Sequence, residues 1–277
     1  MAITASQVKE LRDATNVSMM ECKKALVETN GDMDTAMKLL RERGMAVAAK
    51  RASKEAKQGI ITATETDGGR TIAMAEVNCE TDFVARNDDF KAFVETVGQK
   101  ALETDEALSE VMADELVAQI AAITENLKIR RNIRYQLSGT GKVASYIHMG
   151  GKVGVLIEVA CGKEETVTAP AFEELVRDLT LHVAAAAPPY LTSAEIPEDV
   201  IAEERAIFAK QVEGKPANIV DKIVDGKVQK FFGETCLINQ GFVKEPKQSI
   251  TALLEETGKA LGDTLEIKRF ARYQLGA

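Results

Sequence analysis

The same folding unit occurs twice in this sequence, and that repeat constrains the architecture more than any other feature. Glu76-Val77-Asn78-Cys79 returns as Glu158-Val159-Ala160-Cys161, 82 positions later. The helix anchors Phe90, Phe93 and Val94 return as Phe172, Leu175 and Val176 at that same shift. The closing stretch Ile129 to Leu137 returns as Ile267 to Leu275, shifted by 138. One shift covers the front of the unit and another its end, so the second copy must carry an insertion of 56 residues, the difference between the shifts.

Each copy reads as strands followed by a helix and a closing strand. Ile60 to Thr64 leads into Asp67-Gly68-Gly69, a strong hairpin-turn signal, and the return strand runs from Thr71 to Cys79. Phe90, Phe93, Val94, Val97 and Ala101 recur at helical spacing, and a further helix is expected over Leu108 to Thr124. From Leu127 to Leu137 the pattern alternates, as in a half-buried strand. Gly150-Gly151 marks a hairpin turn in the second copy. The insertion begins near Pro197. One apolar stripe (Ile201, Phe208, Val212) and another (Ile219, Val220, Ile223, Val224, Val228, Phe231) flank Gly214-Lys215-Pro216, predicting a helical hairpin. Its apolar faces are covered either within the chain or by a second copy, which makes it a candidate for homodimerisation.

Ahead of the repeat, residues 1–44 read as three short helices. Thr4 with Gln7 and Ser18 with Glu21 form capping boxes, Asn30-Gly31 stops the second helix, Asp32 caps the third, and Gly44 is placed as its C′ residue. Residues 45–58, with Lys50, Arg51, Lys54 and Lys57, read as a solvated basic linker. The expectation is an α+β protein: a three-helix module at 1–44, a linker at 45–58, a subdomain with an antiparallel sheet at 59–140, and a related one at 141–277 carrying a hairpin at about 197–233.

Composition narrows the chemistry. A net charge of -8 and only 5% aromatic residues oppose general nucleic-acid binding, which relies on Lys and Arg against phosphates and on stacking platforms. Cys22, Cys79, Cys161 and Cys236 are dispersed, without metal-ligand spacing, so no metal and no cofactor is expected. The start, Met1-Ala2-Ile3-Thr4, lacks a basic head and apolar core, and no apolar run approaches a membrane span; a cytoplasmic protein is expected. Phosphate-loop, dinucleotide-fold and nucleophile-elbow motifs are missing, so no catalytic residue is assigned. His148 reads as a surface histidine and His182, on the apolar helix Phe172 to Ala187, as structural. Residues 80–126 hold twelve acidic against three basic side chains, read as a solvated face.

The unusual segment is Cys79-Glu80-Thr81-Asp82-Phe83-Val84-Ala85, apolar at a connection that is normally polar. Spacing alone favours Phe83 as a core residue or staple. The alternative is an aromatic wedge presented to a partner.

Val77 to Ala85 closely resembles the T-D-F-V signature of the elongation factor Ts family. Val8-Lys9-Glu10-Leu11-Arg12, Met19 to Leu26 with Asn30-Gly31-Asp32, Ser145-Tyr146-Ile147-His148, His182 to Ala185 and Gly214-Lys215-Pro216 resemble the same family, in the same order. The resemblance implies a ubiquitin-associated type of N-terminal module, a two-subdomain core and a coiled-coil-like hairpin. It also implies guanine-nucleotide exchange on elongation factor Tu, met in its GDP-bound and nucleotide-free forms, without bond chemistry and without direct nucleic-acid or membrane partners. In the family, T-D-F-V enters the partner, displaces magnesium and loosens the phosphate loop; carried over, these residues are Thr81, Asp82, Phe83 and Val84. The module contacts map to Arg12, Met19, Met20 and Lys23, and the core contacts to Cys79 and His148. Many members continue beyond the last strand with a helical module, so with the sequence ending at Tyr273-Gln274-Leu275-Gly276-Ala277 that module's contact is expected to be missing. Against this stand two other readings: an adaptor whose Phe83 is structural, and an RNA-binding protein using the basic linker and the Arg-rich strands around Arg131 and Arg269.

Overall fold

The computed structural model describes residues 3–15, 17–66, 68–212 and 217–277. The three expected N-terminal helices form: α1 (Ala5–Thr15), α2 (Met19–Glu28) and α3 (Met33–Arg51). Thr4 and Gln7 exchange the reciprocal bonds of a capping box. Ser18 caps α2 by accepting from Glu21 N, and Asp32 caps α3 by accepting from Thr35 N. Val8, Leu11, Cys22, Ala25, Leu26, Ala36 and Leu40 close a small core. Gly44 is not a helix end. It sits inside α3, buried, and a Cβ there would lie 3.0 Å from Ala121 Cβ. A glycine costs a helix interior about 1 kcal/mol relative to alanine, and here it lets α3 lie close against a later helix. The stretch read as linker is therefore helical to Arg51. Lys50 and Arg51 fill the last turn, where positive charge meets the helix dipole favourably.

The first sheet has the order β1 (Gln58–Glu65), β2 (Thr71–Cys79), β3 (Lys128–Gln136). β1 and β2 are antiparallel, Ile60 facing Val77 and Glu65 facing Ile72. At their turn Gly68 and Gly69 take left-handed φ of 87° and 65°; Asp67 lies outside the described residues. Between β2 and β3 come α4 (Asp82–Ala85), α5 (Asp88–Ala101), α6 (Leu108–Val111) and α7 (Ala113–Ile123). The single helix expected over Leu108 to Thr124 is broken at Met112, which leaves helical geometry (φ -111°, ψ 28°) to bury its side chain. The predicted α5 anchors, Phe90, Phe93, Val94, Val97 and Ala101, are all buried against the sheet.

The second copy follows the first: β4 (Gly141–His148), β5 (Val153–Cys161), α8 (Glu164–Val167), α9 (Pro170–Ala186), then α10 (Glu198–Lys210) and α11 (Ala217–Thr235), a short ribbon of β6 (Gly241–Phe242) and β7 (Glu245–Ser249), α12 (Ile250–Leu261) and β8 (Leu265–Gln274). Its sheet order is β4-β5-β8, matching β1-β2-β3. α12 corresponds to α7 at the shift of 138, which places the insertion between α9 and α12. In the hairpin Val212, Val224 and Val228 are buried together, whereas Ile219 points outward. Gly214-Lys215-Pro216 lies outside the described residues. The fold is α+β.

The repeat extends to small details. Gly59 and Gly141 both hold positive φ, and a Cβ at either would collide with the carbonyl of Val77 (2.1 Å) or Val159 (2.3 Å). Thr124 and Gly262 end α7 and α12 with the same left-handed φ of 63°.

The chain forms two compact units. One comprises Met1–Tyr135, Ile147–Gly154 and Tyr273–Ala277, the other Gln136–Tyr146 and Val155–Arg272. Each buries one carboxylate in its middle strand. In the first unit Glu76 is wholly buried; it accepts from Arg131 Nε (2.8 Å), Asn78 Nδ2 (3.1 Å) and Gly276 N (2.9 Å). The same guanidinium donates to Gln274 O at 3.0 Å and lies 4.1 Å above the Tyr273 ring. In the second unit Glu158 accepts from Arg269 Nε (2.6 Å) and from Ser138 N (3.1 Å), while Arg269 donates to Gln136 O at 3.0 Å. Burial pushes the Glu158 carboxyl up, but the Ser138 and Arg269 bonds outweigh it, so it titrates below its ordinary value.

Removing one partner of a buried ion pair strands the other charge. Glu76 keeps a longer contact from Arg130 Nη1 at 3.5 Å, so Arg131→Met is expected to cost about 1–3 kcal/mol by urea denaturation at pH 7, and joint replacement of Glu76 by Gln is expected to recover part of that loss. Because the Glu158 carboxyl holds its proton less tightly folded than unfolded, the unfolded chain protonates first on acidification. The stability Glu158 contributes is thus present above its ordinary pKa of 4.5 and disappears as pH falls below it. A Glu158→Gln/Arg269→Met variant should lose that part of the acid dependence.

Candidate functional site

Phe83 is 80% exposed, the most exposed large apolar side chain described. Spacing alone favoured burial, and the reason it fails lies in the neighbouring residues. α4 is a single turn with two anchors. Val84 packs against the first unit's core and Ala85 is buried in it, which satisfies the apolar demand of the connection. Phe83, one position earlier, is then directed away from the core. Asp82 sits at the helix start beside it and pairs with Arg86 at 3.0 Å, both side chains well exposed. Such a surface pair is worth only tenths of a kcal/mol, so Asp82 is available to a partner.

The turn is held from behind by carboxylates. Thr81 caps α4, its Oγ1 accepting from Val84 N at 3.3 Å. The same hydroxyl donates to Glu125 Oε1 at 2.7 Å, while the amides of Glu80 and Thr81 both donate to Glu125 Oε2 at 3.1 Å. Three donors converging on Glu125, with the Thr81 cap as a fourth bond, thereby fix the backbone on which Phe83 is mounted. Cys79 belongs to this support and not to the surface. It was expected to touch the partner, but it is wholly buried, its thiol donating to Thr81 O at 3.1 Å. Burial, with the nearby Glu125 charge, pushes that thiol up to about 12, so it stays protonated and inert.

Part of the second copy completes the site within the first unit. The turn between β4 and β5 docks on β1: Ile61 N donates to Gly151 O at 2.8 Å, and a Cβ on Gly151 would meet Ile60 Cγ2 at 2.7 Å. This brings Met149, which is exposed, to the same surface as α4; His148, also exposed, precedes it at the end of β4. A groove of about 560 Å³ joins Met149 to α4, lined by Gln58, Asp82, Arg86, Met149, Gly150 and Lys152. Met149 is 71% exposed with a left-handed φ of 49°. It was not anticipated from the sequence; its place directly before the Gly150-Gly151 turn was the available signal.

The module residues form a separate surface. α2 buries Cys22, Ala25 and Leu26, so its opposite face presents Met19, Met20, Lys23 and Val27. Arg12 is exposed on α1, close enough to Cys22 for its charge to oppose the upward push that burial gives that thiol. His182 is structural, as expected: it is buried, its Nε2 3.0 Å from Gln240 Oε1 and its Nδ1 accepting from Val243 N. Among the described residues no cluster of His, Cys, Asp and Glu could hold a metal, and no helix is long and apolar enough to cross a membrane.

The family profile described as "Elongation factor TS" matches residues 80–277. Similar proteins include "Elongation factor Ts" of Nitratiruptor sp., 44% identical over 100% of this chain and 94% of its own length, and that of Desulfovibrio desulfuricans, 43% identical over 100% and 99%. "Elongation factor Ts" of Trichlorobacter lovleyi is 41% identical over 100% of this chain and 93% of its own.

An exposed side chain contributes little to folding. Phe83→Ala is expected to shift unfolding free energy by no more than about 0.5 kcal/mol. A buried phenylalanine would cost about 3–5 kcal/mol, so a single urea titration separates the two placements.

Proposed function

Because the chain belongs to the elongation factor Ts family, we propose that it is a guanine-nucleotide exchange factor that binds elongation factor Tu with GDP and promotes GDP release. It is a binding protein that catalyses no bond change of its own and acts in the cytoplasm. The three-helix segment grips the partner through Arg12, Met19, Met20 and Lys23, while the turn Thr81-Asp82-Phe83-Val84 docks on it with Asp82 and Phe83 entering, and His148 makes a further contact. Cys79 supports that turn from the interior.

The observation that carries this reading is Phe83 standing 80% exposed on a turn tied to the Glu125 carboxylate. An exchange factor must bind the nucleotide-free partner better than the GDP-bound one, and linkage makes the two effects reciprocal. Phosphate affinity in such a partner rests on magnesium and on backbone amides at its phosphate loop. A side chain entering a pocket open only when these have moved supplies the difference. Fully burying a phenylalanine is worth roughly 1.5–3 kcal/mol, about one to two decades of affinity. Phe83 reaches the partner with most of its surface still hydrated, so that free energy remains available for binding. Asp82 adds a negative charge beside the wedge, suited to competing with the oxygen ligands that hold magnesium.

The alternatives fit less well. An adaptor with a structural Phe83 does not match an exposed one. The arginines that suggested RNA binding, Arg131 and Arg269, donate to Glu76 and Glu158.

Release of labelled GDP from elongation factor Tu tests the proposal. The parent should accelerate release strongly, and Phe83→Ala, with its fold intact, should be slower by about ten- to a hundredfold. No acceleration by the folded parent would refute it.

A further inference from the structure

The repeat supplies an internal control for the Phe83 turn. In the second copy Asp263, the counterpart of Glu125 at the shift of 138, accepts from Gly162 N, Lys163 N and Thr166 Oγ1 at 3.0, 3.0 and 2.6 Å. Thr166 draws the Asp263 carboxyl below its ordinary value. A carboxylate clamp on the turn is therefore what this fold uses in both copies. No aromatic residue is mounted there: the position of Phe83 is Glu165. The position of Glu80 is Gly162, so the clamp needs no side chain at that site.

In the first copy the extra side chain is used. Glu80 is largely buried, and its carboxylate bridges two structures. Oε1 accepts from Asn126 N at 2.6 Å, and Oε2 meets Arg51 Nη1 at 3.2 Å. Arg51 is the last residue of α3, the long helix of the N-terminal module. Asn126 reinforces the link, its Nδ2 donating to Lys54 O at 2.6 Å just beyond that helix. The turn that carries Phe83 is thus fastened at residue 80 to the end of the helix whose other turns pack on α2, where Met19 and Met20 are displayed. All of these residues belong to the first compact unit.

We infer that Glu80 and Arg51 are positioning residues for nucleotide exchange, a bridge that holds the wedge in fixed register with the gripping module. The inference rests on the exchange reading and deepens it. Once the module has seated on the partner, a rigid connection presents Phe83 at one place and angle; a slack one spreads it over many. Misplacement of an otherwise intact group lowers rate steeply. In this inference the bridge acts through the placement of Phe83.

The test uses the full chain with Glu80→Gln, which keeps an oxygen for Asn126 N but loses the charge facing Arg51, with Arg51→Met, their double variant, and Arg51→Lys as the conservative control. The maximal GDP-release rate at saturating factor should fall about three- to tenfold in each single variant and no further in the double. The concentration for half-maximal rate should change less than about twofold, since the grip is untouched. Arg51→Lys should stay near the parent, and Glu80→Gln added to Phe83→Ala should cause no additional loss. An unchanged maximal rate, or an equal loss in the Phe83→Ala background, would overturn the inference. Should the parent itself fail to release GDP, the exchange reading falls. The bridge is then judged by hydrogen exchange: the amides of Val84 and Ala85 should exchange faster in Glu80→Gln, and identical protection would overturn it.

Discussion

The architecture depends on a carboxylate buried in the middle strand of each sheet. Glu76 and Glu158 are buried polar groups whose removal from water is costly unless a guanidinium and several further donors are directed at them. Arg131 and Arg269 answer that demand from the closing strands, and each spends its other arm on the backbone of a distant segment, Gln274 or Gln136. One buried charge thus specifies which strand lies beside β2 or β5 and where a remote stretch of chain must end. Once these are placed, β1 and β4 pair alongside, and α5 and α9 cover the apolar faces.

The proposed function rests on a difference between two otherwise equivalent turns. Both leave their middle strand, start a one-turn helix and are held by an acidic side chain from the same point of the repeat. In one, Val84 and Ala85 satisfy the core, freeing Phe83 to stand in water beside Asp82. In the other, the corresponding Glu165 gives the turn an ordinary polar surface. A fold that already fixes the backbone can carry an apolar residue outward at little cost to stability, and an apolar residue held outward is suited to filling a partner's pocket.

The repeat, the three capped helices, the inserted hairpin and the core anchors were legible because they rest on periodicity, capping and turn chemistry that act over a few residues. Gly44 was misread because a glycine after an amphipathic run signals a helix end locally, while here a neighbouring helix requires its missing Cβ. The break at Met112 escaped because nothing local opposes a continuous helix. Phe83 was visible as an anomaly, but its direction depends on Val84 and Ala85 reaching the core, a tertiary fact. Glu125 and Asn126 looked like members of an acidic, solvated stretch. The repeat shift pairs Glu125 with Asp263, and that coincidence of two carboxylates was the signal of a shared task.

The central claim is that an already exposed Phe83 favours the nucleotide-free partner over the GDP-bound one. Calorimetric titration of this chain and of Phe83→Ala into elongation factor Tu, once stripped of nucleotide and once saturated with GDP, measures that directly. The account predicts that the substitution weakens binding to the stripped form by about ten- to a hundredfold and to the GDP-bound form by far less. Equal losses toward both forms would show that Phe83 contributes only uniform affinity, and the account would be wrong.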